Sequence, residues 1–447
     1  MDFAKMKDIL ADEAKKAGIT EYDVYYMTSS SVSTETLRDE ISSFSSETGI
    51  GICFRCIIGG RFGSASCERI TEDELRGLVN RAAESAKYIE SDAEAILFPG
   101  SKSYHKVENP ILPEPSAAEL KEMALKMQKN TYEQSPAVCD GTQSYVGSET
   151  VSVDLFNSYG LSLHREFSIR SAVAVAVVNR DGESANGFES YYGADYDGAM
   201  ALSEKAVETA LAKLGATSVA GGNYNIVLDG KQMSVLLRTF SSAFSAKSVR
   251  LGLSLLKGKE GERIASDVVT IVDDPFADAL LGKTPFDAEG VATETKTVIE
   301  NGILKTFLYD LSNAKLMGKE TTANASKGGV SAPVVIQPYY FGMQGGEIDF
   351  DTLLATCGDG IYVTELKGLH AGANAVTGDF SIESAGFKIE NGKLGAAVKN
   401  FTIAGNFFEL LKKIDTLSNR VKVGVPGVST AFGAPDVLIK DVSVAGK

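Results

Sequence analysis

The first 90 residues change repeatedly between helical and strand periodicity. Phe3, Met6 and Leu10 recur at the spacing of one helical face, and a second apolar helical face covers residues 75–89. The strands predicted between these helices are 22–27, 31–38, 41–46 and 49–58. A helix, antiparallel strands and another helix together predict an α+β domain over residues 1–90.

A proline-rich segment separates this unit from the rest of the chain. Residues 91–115 contain four prolines and little periodicity, which is typical of a linker. Residues 137–192 then follow strand patterns, and residues 197–214 have helical spacing. The interval 91–220 is therefore predicted to be a linker followed by a strand-rich middle region.

The C-terminal half, residues 221–447, is predicted to be a β-rich domain. Its clearest helix covers residues 231–244, where apolar side chains recur at helical spacing. Asn301-Gly302 and Asn391-Gly392 predict two hairpin turns, because both central residues of a type I′ turn need positive φ. The predicted fold class is α+β, with an N-terminal antiparallel sheet and helices followed by a large β-rich C-terminal domain.

The charge of the chain narrows the choice of partners. It has 44 Lys and Arg residues against 59 Asp and Glu residues, a formal net charge of −15. Nucleic acids and anionic membranes require basic surfaces, so neither is expected as a partner. The N-terminus lacks the apolar segment of a signal peptide, and the longest apolar run, 172–178, is far shorter than the ~20 residues of a membrane-spanning helix. A cytoplasmic protein is expected.

The five cysteines are expected to be free thiols. Their number is odd and the chain is large, which disfavours a disulfide scaffold. Cys53 and Cys56 have the spacing of a zinc knuckle, but no second Cys or His pair follows them. In a strand, residues three apart face opposite sides of the sheet. This pair therefore suits a sheet better than a metal site.

Few motifs of known chemistry occur in the chain. The histidines His105, His164 and His370 are far apart in sequence, so no His-Glu-x-x-His zinc motif exists, and no Gly-x-Ser-x-Gly elbow or phosphate loop is present. Carboxylates cluster beside turn residues. These are Asp273, Asp274, Asp287 and Glu289. They form either a metal or acid–base site, or caps of turns through their own side chains.

A series of short glycine- and carboxylate-containing segments runs in order along nearly the whole chain. They are Gly49–Ile52 with Gly59–Gly63, Gly258–Ala265, Val272–Pro275, Phe286–Gly290, Ile299–Leu304, Thr377–Ser381, Gly386–Gly392 and Thr402–Asn406. Together they resemble the TldD/PmbA family, once called modulators of DNA gyrase. Thr377–Ser381 and Thr402–Asn406 are more similar to the PmbA (TldE) branch than to the TldD branch.

The zinc motif of the family is degenerate in this chain. The TldD branch resembles a zinc peptidase with His-Glu-x-x-x-His on a central helix and a Cys ligand near the C-terminus. Counted without gaps from Gly258, the motif falls on Leu237, Arg238 and Ser242, which do not replace these ligands, and no cysteine follows Cys357. The resemblance therefore implies that this chain carries no cofactor, that zinc is in a TldD-like partner, and that the chain is inactive alone.

The resemblance implies the non-catalytic, PmbA/TldE-like subunit of a zinc metallopeptidase that acts on unfolded or leader peptides. The implied partners are a TldD-like subunit in a heterodimer, or a second copy of this chain, and an extended peptide that adds to a sheet edge. Two alternatives stay open. One is a non-enzymatic binding or scaffold protein, and the other is a hydrolase that uses the carboxylate cluster with a metal.

The loop at residues 368–381 is the predicted contact with peptide or partner. It combines glycines, which let another backbone approach, with short polar side chains that bond main-chain groups. The residues predicted to make the contact are His370, Asn374, Thr377, Asp379 and Ser381. The alternative is a long connection in which Asp379 caps a turn and His370 is solvated.

Overall fold

The computed structural model describes residues 2–90 and 94–446 and has the predicted α+β class. The helices are α1 (Phe3–Lys16), α2 (Glu72–Ser85), α3 (Ala117–Glu133), α4 (Ala199–Ala212), α5 (Gly230–Phe240), α6 (Ala246–Arg250), α7 (Leu311–Met317), α8 (Phe350–Cys357), α9 (Leu369–Gly372) and α10 (Phe407–Lys412), with a 3₁₀ helix over Ser241–Phe244. The strands are β1 (Tyr22–Leu37), β2 (Glu40–Ile58), β3 (Arg61–Cys67), β4 (Gln143–Asn157), β5 (Ser162–Arg180), β6 (Glu183–Gly193), β7 (Gly222–Leu228), β8 (Ile271–Asp274), β9 (Lys296–Glu300), β10 (Ile303–Leu304), β11 (Ala325–Lys327), β12 (Val334–Ile336), β13 (Tyr340–Met343), β14 (Gly360–Lys367), β15 (Asp379–Glu390), β16 (Lys393–Asn406), β17 (Ile414–Val423) and β18 (Ala431–Ala445).

The N-terminal sheet has six antiparallel strands in the order β3-β2-β1-β4-β5-β6. Helices α1 and α2 cover one end of one face, and α3 and α4 cover the other end. Phe286 and its neighbours in the C-terminal half pack against the opposite face, which presents Tyr25, Cys53 and Val153. Cys56 belongs to the helix-covered face instead, so the two cysteines do face opposite sides. All five cysteines are free thiols, as expected.

The four strands predicted between residues 22 and 58 are wrong in number, because they form only two long strands. Residues 22–37 pair with β2 on one side and with β4 on the other. This double pairing supplies main-chain hydrogen bonds through residues 28–30, the gap between the predicted strands 22–27 and 31–38. The serine-rich interval of β2, residues 42–46, pairs with β1 alone, because β3 pairs with β2 only over residues 52–58, and its side chains are largely exposed.

The C-terminal half is built around a closed ring of strands. Strand β7 pairs with both β14 and β18, and β15 and β16 complete the ring. From β18 the sheet continues through β13, β8 and β9 to β10. Helix α5 packs against β18 and buries Met233, Leu236, Leu237 and Phe240 in the main core. The helix predicted over 231–244 is therefore present, although its last four residues tighten into a 3₁₀ turn.

Both predicted Asn-Gly turns are present as tight two-residue hairpins. Asn301 and Gly302 join β9 to β10 with φ of 47° and 80°. Asn391 and Gly392 join β15 to β16 with φ of 51° and 74°. Positive φ at both central positions is the property that predicted these turns from sequence.

The predicted linker lies along the N-terminal sheet. Residues 94–115 contain no helix or strand, but Ser168 N–H donates to Pro110 O at 2.7 Å, and the side chain of Asn109 bonds the main chain of Lys283. Residues 91–93 of this segment lie outside the described residues. Because β1 pairs with β4, strands from 1–90 and from 91–220 share one sheet. The domain boundaries at 90 and 220 stay predictions.

Among the described helices, none combines the length and the apolar character that crossing a membrane requires.

Candidate functional site

A cleft of about 1190 Å³ lies between the N-terminal sheet and the C-terminal half. One wall is formed by β6 and α4. The other wall is formed by the start of α5, the end of β17 and parts of β14, and the loop 278–283 also lines the space. The cleft therefore brings together residues that are separated by more than half of the chain.

Strand β6 presents its free edge to this cleft. It pairs only with β5, and residues 188–193 all line the cleft in succession. Successive side chains of a strand point to opposite faces of the sheet. A cleft that is lined by every residue from 188 to 193 therefore runs along the edge of β6 and not over one face. Six residues of strand span roughly 20 Å at about 3.3 Å per residue.

The hydrogen bonds of β5 show which main-chain groups of β6 point into the cleft. Val177, which lies opposite Asn186, donates its N–H to Thr142 Oγ1 at 3.0 Å and accepts from Cys139 N–H at 2.9 Å. Its groups therefore point away from β6, and the pair is of the non-hydrogen-bonded type. The N–H and C=O of Asn186 then point outward, and its carbonyl accepts from Lys213 Nζ at 2.8 Å.

Every second residue of β6 repeats this outward orientation. Phe188, Ser190 and Tyr192 therefore direct N–H and C=O groups into the cleft. No described strand pairs with them, and no partner for these groups is found in residues 2–90 or 94–446. An edge with open donors and acceptors accepts an added strand.

A buried polar cluster fixes the facing wall at the start of α5. Lys422 Nζ lies 2.7 Å from both Asp229 Oδ2 and Asp436 Oδ1. Tyr362 Oη donates to Asp229 Oδ2 at 2.6 Å, and Gly230 N–H donates to Asp436 at 2.9 Å. These groups come from β17, β18, β14 and the β7–α5 connection, so the cluster ties the first turn of α5 to three strands.

The protonation of this cluster follows from its burial and its two carboxylates. Burial lowers the pKa of Lys422, but Asp229 and Asp436 together raise it above its ordinary value. Burial, and then the charge of Asp229, raise the pKa of Tyr362, and burial raises the pKa of Asp436. Lysine therefore stays charged and tyrosine stays neutral near pH 7, as their hydrogen bonds require.

Two ion pairs join the walls of the cleft. Lys231 Nζ of α5 lies 2.9 Å from Glu189 Oε2 of β6, and Lys213 Nζ lies 3.7 Å from Glu365 Oε2 of β14. Lys231 is 49% exposed, so solvent screens its pair. These contacts hold the walls near each other without filling the space between them.

The five residues predicted to contact peptide or partner lie outside the lining of this cleft, on an exposed segment. Asn374 Oδ1 accepts from the N–H groups of Val376 and Thr377, at 3.0 and 3.3 Å. Asp379 accepts from Asn406 Nδ2 at 3.0 Å. These polar groups close local turns.

His370 and Ser381 differ from the other predicted contact residues. Their exposed side chains have no hydrogen-bond partner in the part of the chain that the structure describes. Ser381 belongs to the segment Thr377–Ser381, and residues 379–381 of this segment pair with residues 404–406 of β16, with Asp379 opposite Asn406. Two segments that carry the family resemblance are therefore direct neighbours.

The three positions counted for the zinc motif do not converge. Leu237 is buried in the core, whereas Arg238 and Ser242 are exposed. The residues of α5 that line the cleft are Lys231, Gln232 and Val235. In residues 2–90 and 94–446, no three His, Cys, Asp or Glu side chains are grouped as metal ligands. The side chains of Leu237, Arg238 and Ser242 are not of the types that bind zinc.

The three histidines occupy unrelated environments. His105 packs against Phe276 with ring centres 4.8 Å apart and ring planes tilted by 56°. His164 Nδ1 lies 3.0 Å from Asp154 Oδ1 on the surface of β5. His370 is exposed on α9.

Each of the four clustered carboxylates makes structural hydrogen bonds. Asp273 Oδ2 accepts from Lys296 Nζ at 3.1 Å and from Asn324 Nδ2 at 2.7 Å, while Oδ1 accepts from Tyr339 N–H at 2.6 Å. Asp274 Oδ1 accepts from Phe276 N–H at 2.9 Å. Both carboxylates therefore accept hydrogen bonds from neighbouring protein groups.

Asp287 is buried, and Glu289 beside it is half-buried. Asp287 accepts from the N–H groups of Glu289 and Val291, both at 2.9 Å, and of Ala325 at 3.2 Å. Glu289 accepts from Leu311 N–H at 2.9 Å. Burial raises the pKa of both carboxyl groups, and the charge of Asp287 raises that of Glu289 further.

The β6 edge is a candidate site that sequence reasoning did not find. The sequence predicts strands over residues 137–192, but a strand at the edge has the same local pattern as a strand inside the sheet. The sequence signal is Phe188, a large apolar residue between Gly187 and Glu189, and the structure leaves its side chain 52% exposed.

Family models match three successive parts of the chain. Residues 22–86 match PmbA/TldA metallopeptidase domain 1, and residues 110–214 match the PmbA/TldA metallopeptidase central domain. Residues 221–446 match the PmbA/TldA metallopeptidase C-terminal domain.

Individual relatives are similar over nearly the full length. The chain is 30% identical to an uncharacterized protein of Methanocaldococcus jannaschii, over 96% of this chain and 98% of that protein. It is 26% identical to metalloprotease PmbA of Escherichia coli O157:H7, over 97% and 93%.

Solved structures share the fold. A candidate modulator of a DNA gyrase from Thermotoga maritima superposes with a TM-score of 0.90 at 28% identity, covering 99% of this chain and 100% of that chain. TldE from Thermococcus kodakarensis has a TM-score of 0.89 at 24% identity, with 99% and 100% covered, and it supports the fold alone.

Proposed function

Because this chain belongs to the PmbA/TldD metallopeptidase family, we propose that it is the non-catalytic, PmbA/TldE-like subunit of a two-subunit peptidase. In this proposal a TldD-like partner supplies the zinc, in the cytoplasm, and this chain holds the peptide in an extended form. The partner forms a heterodimer with this chain, and a dimer of two identical chains is the competing assembly.

The residues at the counted zinc positions support a non-catalytic role. Leu237 is an apolar core residue, and Arg238 is a cation that would repel Zn²⁺. No step of catalysis is therefore assigned to this chain. Its part in the reaction is binding and orientation of the substrate.

The open edge of β6 is the observation that carries the peptide-binding part of the proposal. Three residues of β6 offer three N–H and three C=O groups to an incoming strand, namely Phe188, Ser190 and Tyr192. The cleft along this edge has a volume of about 1190 Å³, which is enough for one added strand. Main-chain pairing of this kind is independent of side-chain sequence. It suits a protein that receives unfolded or leader peptides.

A proline substitution tests this pairing with little effect on the fold. Ser190→Pro removes one outward N–H and leaves the pairing of β6 with β5 intact, since proline is tolerated where the N–H of an edge strand faces solvent. Ser184→Pro is the matched control. It is the same change on the same strand in the same outward register, but residue 184 does not line the cleft.

Peptide binding is measured by fluorescence anisotropy with a labelled, extended Thr/Val peptide. Ser190→Pro is expected to weaken binding by about tenfold, because a main-chain hydrogen bond is lost and proline obstructs the neighbouring ones. Ser184→Pro is expected to bind like the unmodified chain. Equal affinity of the Ser190→Pro and Ser184→Pro chains would exclude the β6 edge as the site.

The two-subunit proposal is tested by reconstitution. Cleavage of an unfolded peptide is measured with this chain, with the TldD-like subunit, and with both together. We expect cleavage only, or mainly, in the mixture. Zinc-dependent cleavage by this chain alone would refute the non-catalytic role, and equal cleavage with and without this chain would refute its participation.

The segment 368–381 is proposed to contact the partner subunit rather than the peptide, because its residues are exposed outside the cleft lining. His370→Ala combined with Ser381→Ala tests this without removing a local hydrogen bond. The double variant is expected to keep its melting temperature and to bind the TldD-like subunit more weakly. Unchanged association, measured by calorimetry, would contradict this contact.

A further inference from the structure

Strand β17 contains a bulge directly beside the cleft. Leu417 lies opposite Val437 and Val421 lies opposite Pro435, so β17 advances four residues while β18 advances two. The residues between them, 418–420, therefore stand opposite no residue of β18 in the strand register. Bulges of this type redirect a side chain and are common beside functional sites.

Several hydrogen bonds hold the bulge in place. Asn419 N–H donates to Ile348 O at 2.6 Å, and Gly346 N–H donates to Ser418 O at 2.8 Å. Ser418 Oγ, which is buried, accepts from Asp436 N–H at 3.0 Å. A Cβ on Gly346 would lie 2.3 Å from Leu417 O, so this close approach requires glycine. The backbone before Arg420 is therefore rigid.

Arg420 lines the cleft from this bulge with an exposed side chain that has no bonded anion. Neither an ion pair nor a hydrogen bond joins its guanidinium to any side chain or main-chain group in the described ranges. Other cleft cations are neutralised, since Lys231 pairs with Glu189, Lys283 lies 2.9 Å from Asp278, and Lys422 bonds two aspartates.

The remaining cleft cation without a bonded partner, Lys205, is in a different situation. It lies three residues before Glu208 on α4, and side chains at this spacing are neighbours on a helix. A carboxylate therefore already lies near Lys205. The sequence neighbours of Arg420 are Asn419 and Val421, which are uncharged.

We propose that Arg420 binds a carboxylate of the peptide that pairs with β6. This inference rests on the proposed function and adds a chemical preference to it. A guanidinium presents a planar pair of donors that matches both oxygens of a carboxylate. In a chain of net charge −15, a held and uncompensated arginine is a local attraction for such a group. The carboxylate belongs either to the C-terminus of the peptide or to an acidic side chain.

The test uses one labelled Thr/Val peptide in three forms. The first has a free C-terminal carboxylate, the second has a C-terminal amide, and the third is the amide with one internal Glu. Anisotropy titrations are made with the full chain and with Arg420→Gln. Arg61→Gln is the matched control, because Arg61 is an exposed arginine on β3 and does not line the cleft.

We expect a carboxylate form to bind the unmodified chain about twofold to fivefold more tightly than the amide, because Arg420 is exposed and solvent screens the ion pair that it forms. Tighter binding of the form with a free C-terminus identifies the terminal carboxylate as the ligand, and tighter binding of the Glu-containing amide identifies an acidic side chain. Arg420→Gln should remove this difference and leave binding of the amide unchanged, whereas Arg61→Gln should preserve the difference.

Two results would overturn the assignment, and they are distinguishable. Equal binding of all three forms, or the same preference in Arg420→Gln, refutes the role of Arg420 while leaving peptide binding at β6 in place. Absence of binding by every form refutes both the carboxylate site and the peptide-binding function.

Discussion

Replacement of Gly302 by alanine should destabilise the protein more than the same change at Gly60. Both glycines are the second residue of a two-residue hairpin turn, with φ of 80° and 77°. The backbone penalty for alanine is therefore the same, about 1–2 kcal/mol for a left-handed conformation. The surroundings differ, because a Cβ on Gly60 meets no atom within 4 Å.

A Cβ on Gly302 would lie 2.4 Å from Ala265 O and 2.6 Å from Ser266 O. Both are main-chain atoms, so the turn itself must move. Gly302 N–H donates to Val269 O at 2.8 Å, and its carbonyl accepts from Ile264 N–H at 2.8 Å. Overpacking costs about 1–3 kcal/mol, and strained hydrogen bonds add to it. We expect Gly302→Ala to cost about 2–5 kcal/mol in total.

The free energy of unfolding of both variants is measured by urea titration with circular dichroism. A loss for Gly302→Ala that exceeds the loss for Gly60→Ala by about 1–3 kcal/mol would agree with this account. Equal losses would show that the packing around Gly302 does not contribute. No loss in either variant would refute the positive φ at both turns.

Three further outcomes are expected. Lys422→Met should lower the free energy of unfolding by about 3–5 kcal/mol at pH 7, because Asp229 and Asp436 lose their shared cation. The raised pKa of Glu289 means that the folded state holds a proton which the unfolded state releases, so stability should fall as pH rises above 4.5, and Glu289→Gln should reduce this slope. Elemental analysis should find no stoichiometric zinc in the purified chain.

Each of these outcomes has a contradicting result. A Lys422→Met chain as stable as the original would mean that the two carboxylates are hydrated rather than buried. If the stability of Glu289→Gln depended on pH as that of the unmodified chain does, Glu289 would not be the group with the raised pKa. About one zinc per chain, removable by a chelator, would contradict the proposed absence of a metal site.

Local sequence was sufficient for features that depend on neighbours along the chain. The apolar spacing of residues 231–244 predicted helix α5, and the two Asn-Gly pairs predicted turns whose φ values are positive in the structure. These succeed because helical periodicity and turn conformation are set within a few residues. Even there, residues 241–244 tighten to 3₁₀ geometry where they enter the main core.

Pairing partners were not visible in the sequence. The predicted strands 22–27 and 31–38 leave residues 28–30 as a gap, yet β1 runs through them because β2 and β4 lie on both sides. The pattern of residues 183–193 is that of any strand, and only the sheet order makes β6 an edge. Hydrogen bonds between strands connect residues far apart in the chain, so no local pattern records which edge stays open.

The sequence by itself determined the α+β class, the family resemblance and the lack of zinc ligands at the counted motif positions. Tertiary structure alone placed the predicted contact residues of 368–381 outside the cleft and brought Arg420 into it. Glycine and short polar residues identify a segment that turns, but not what it faces. Arg420 gains its position from a bulge held by the distant Gly346 and Ile348, a contact that exists only in the folded chain.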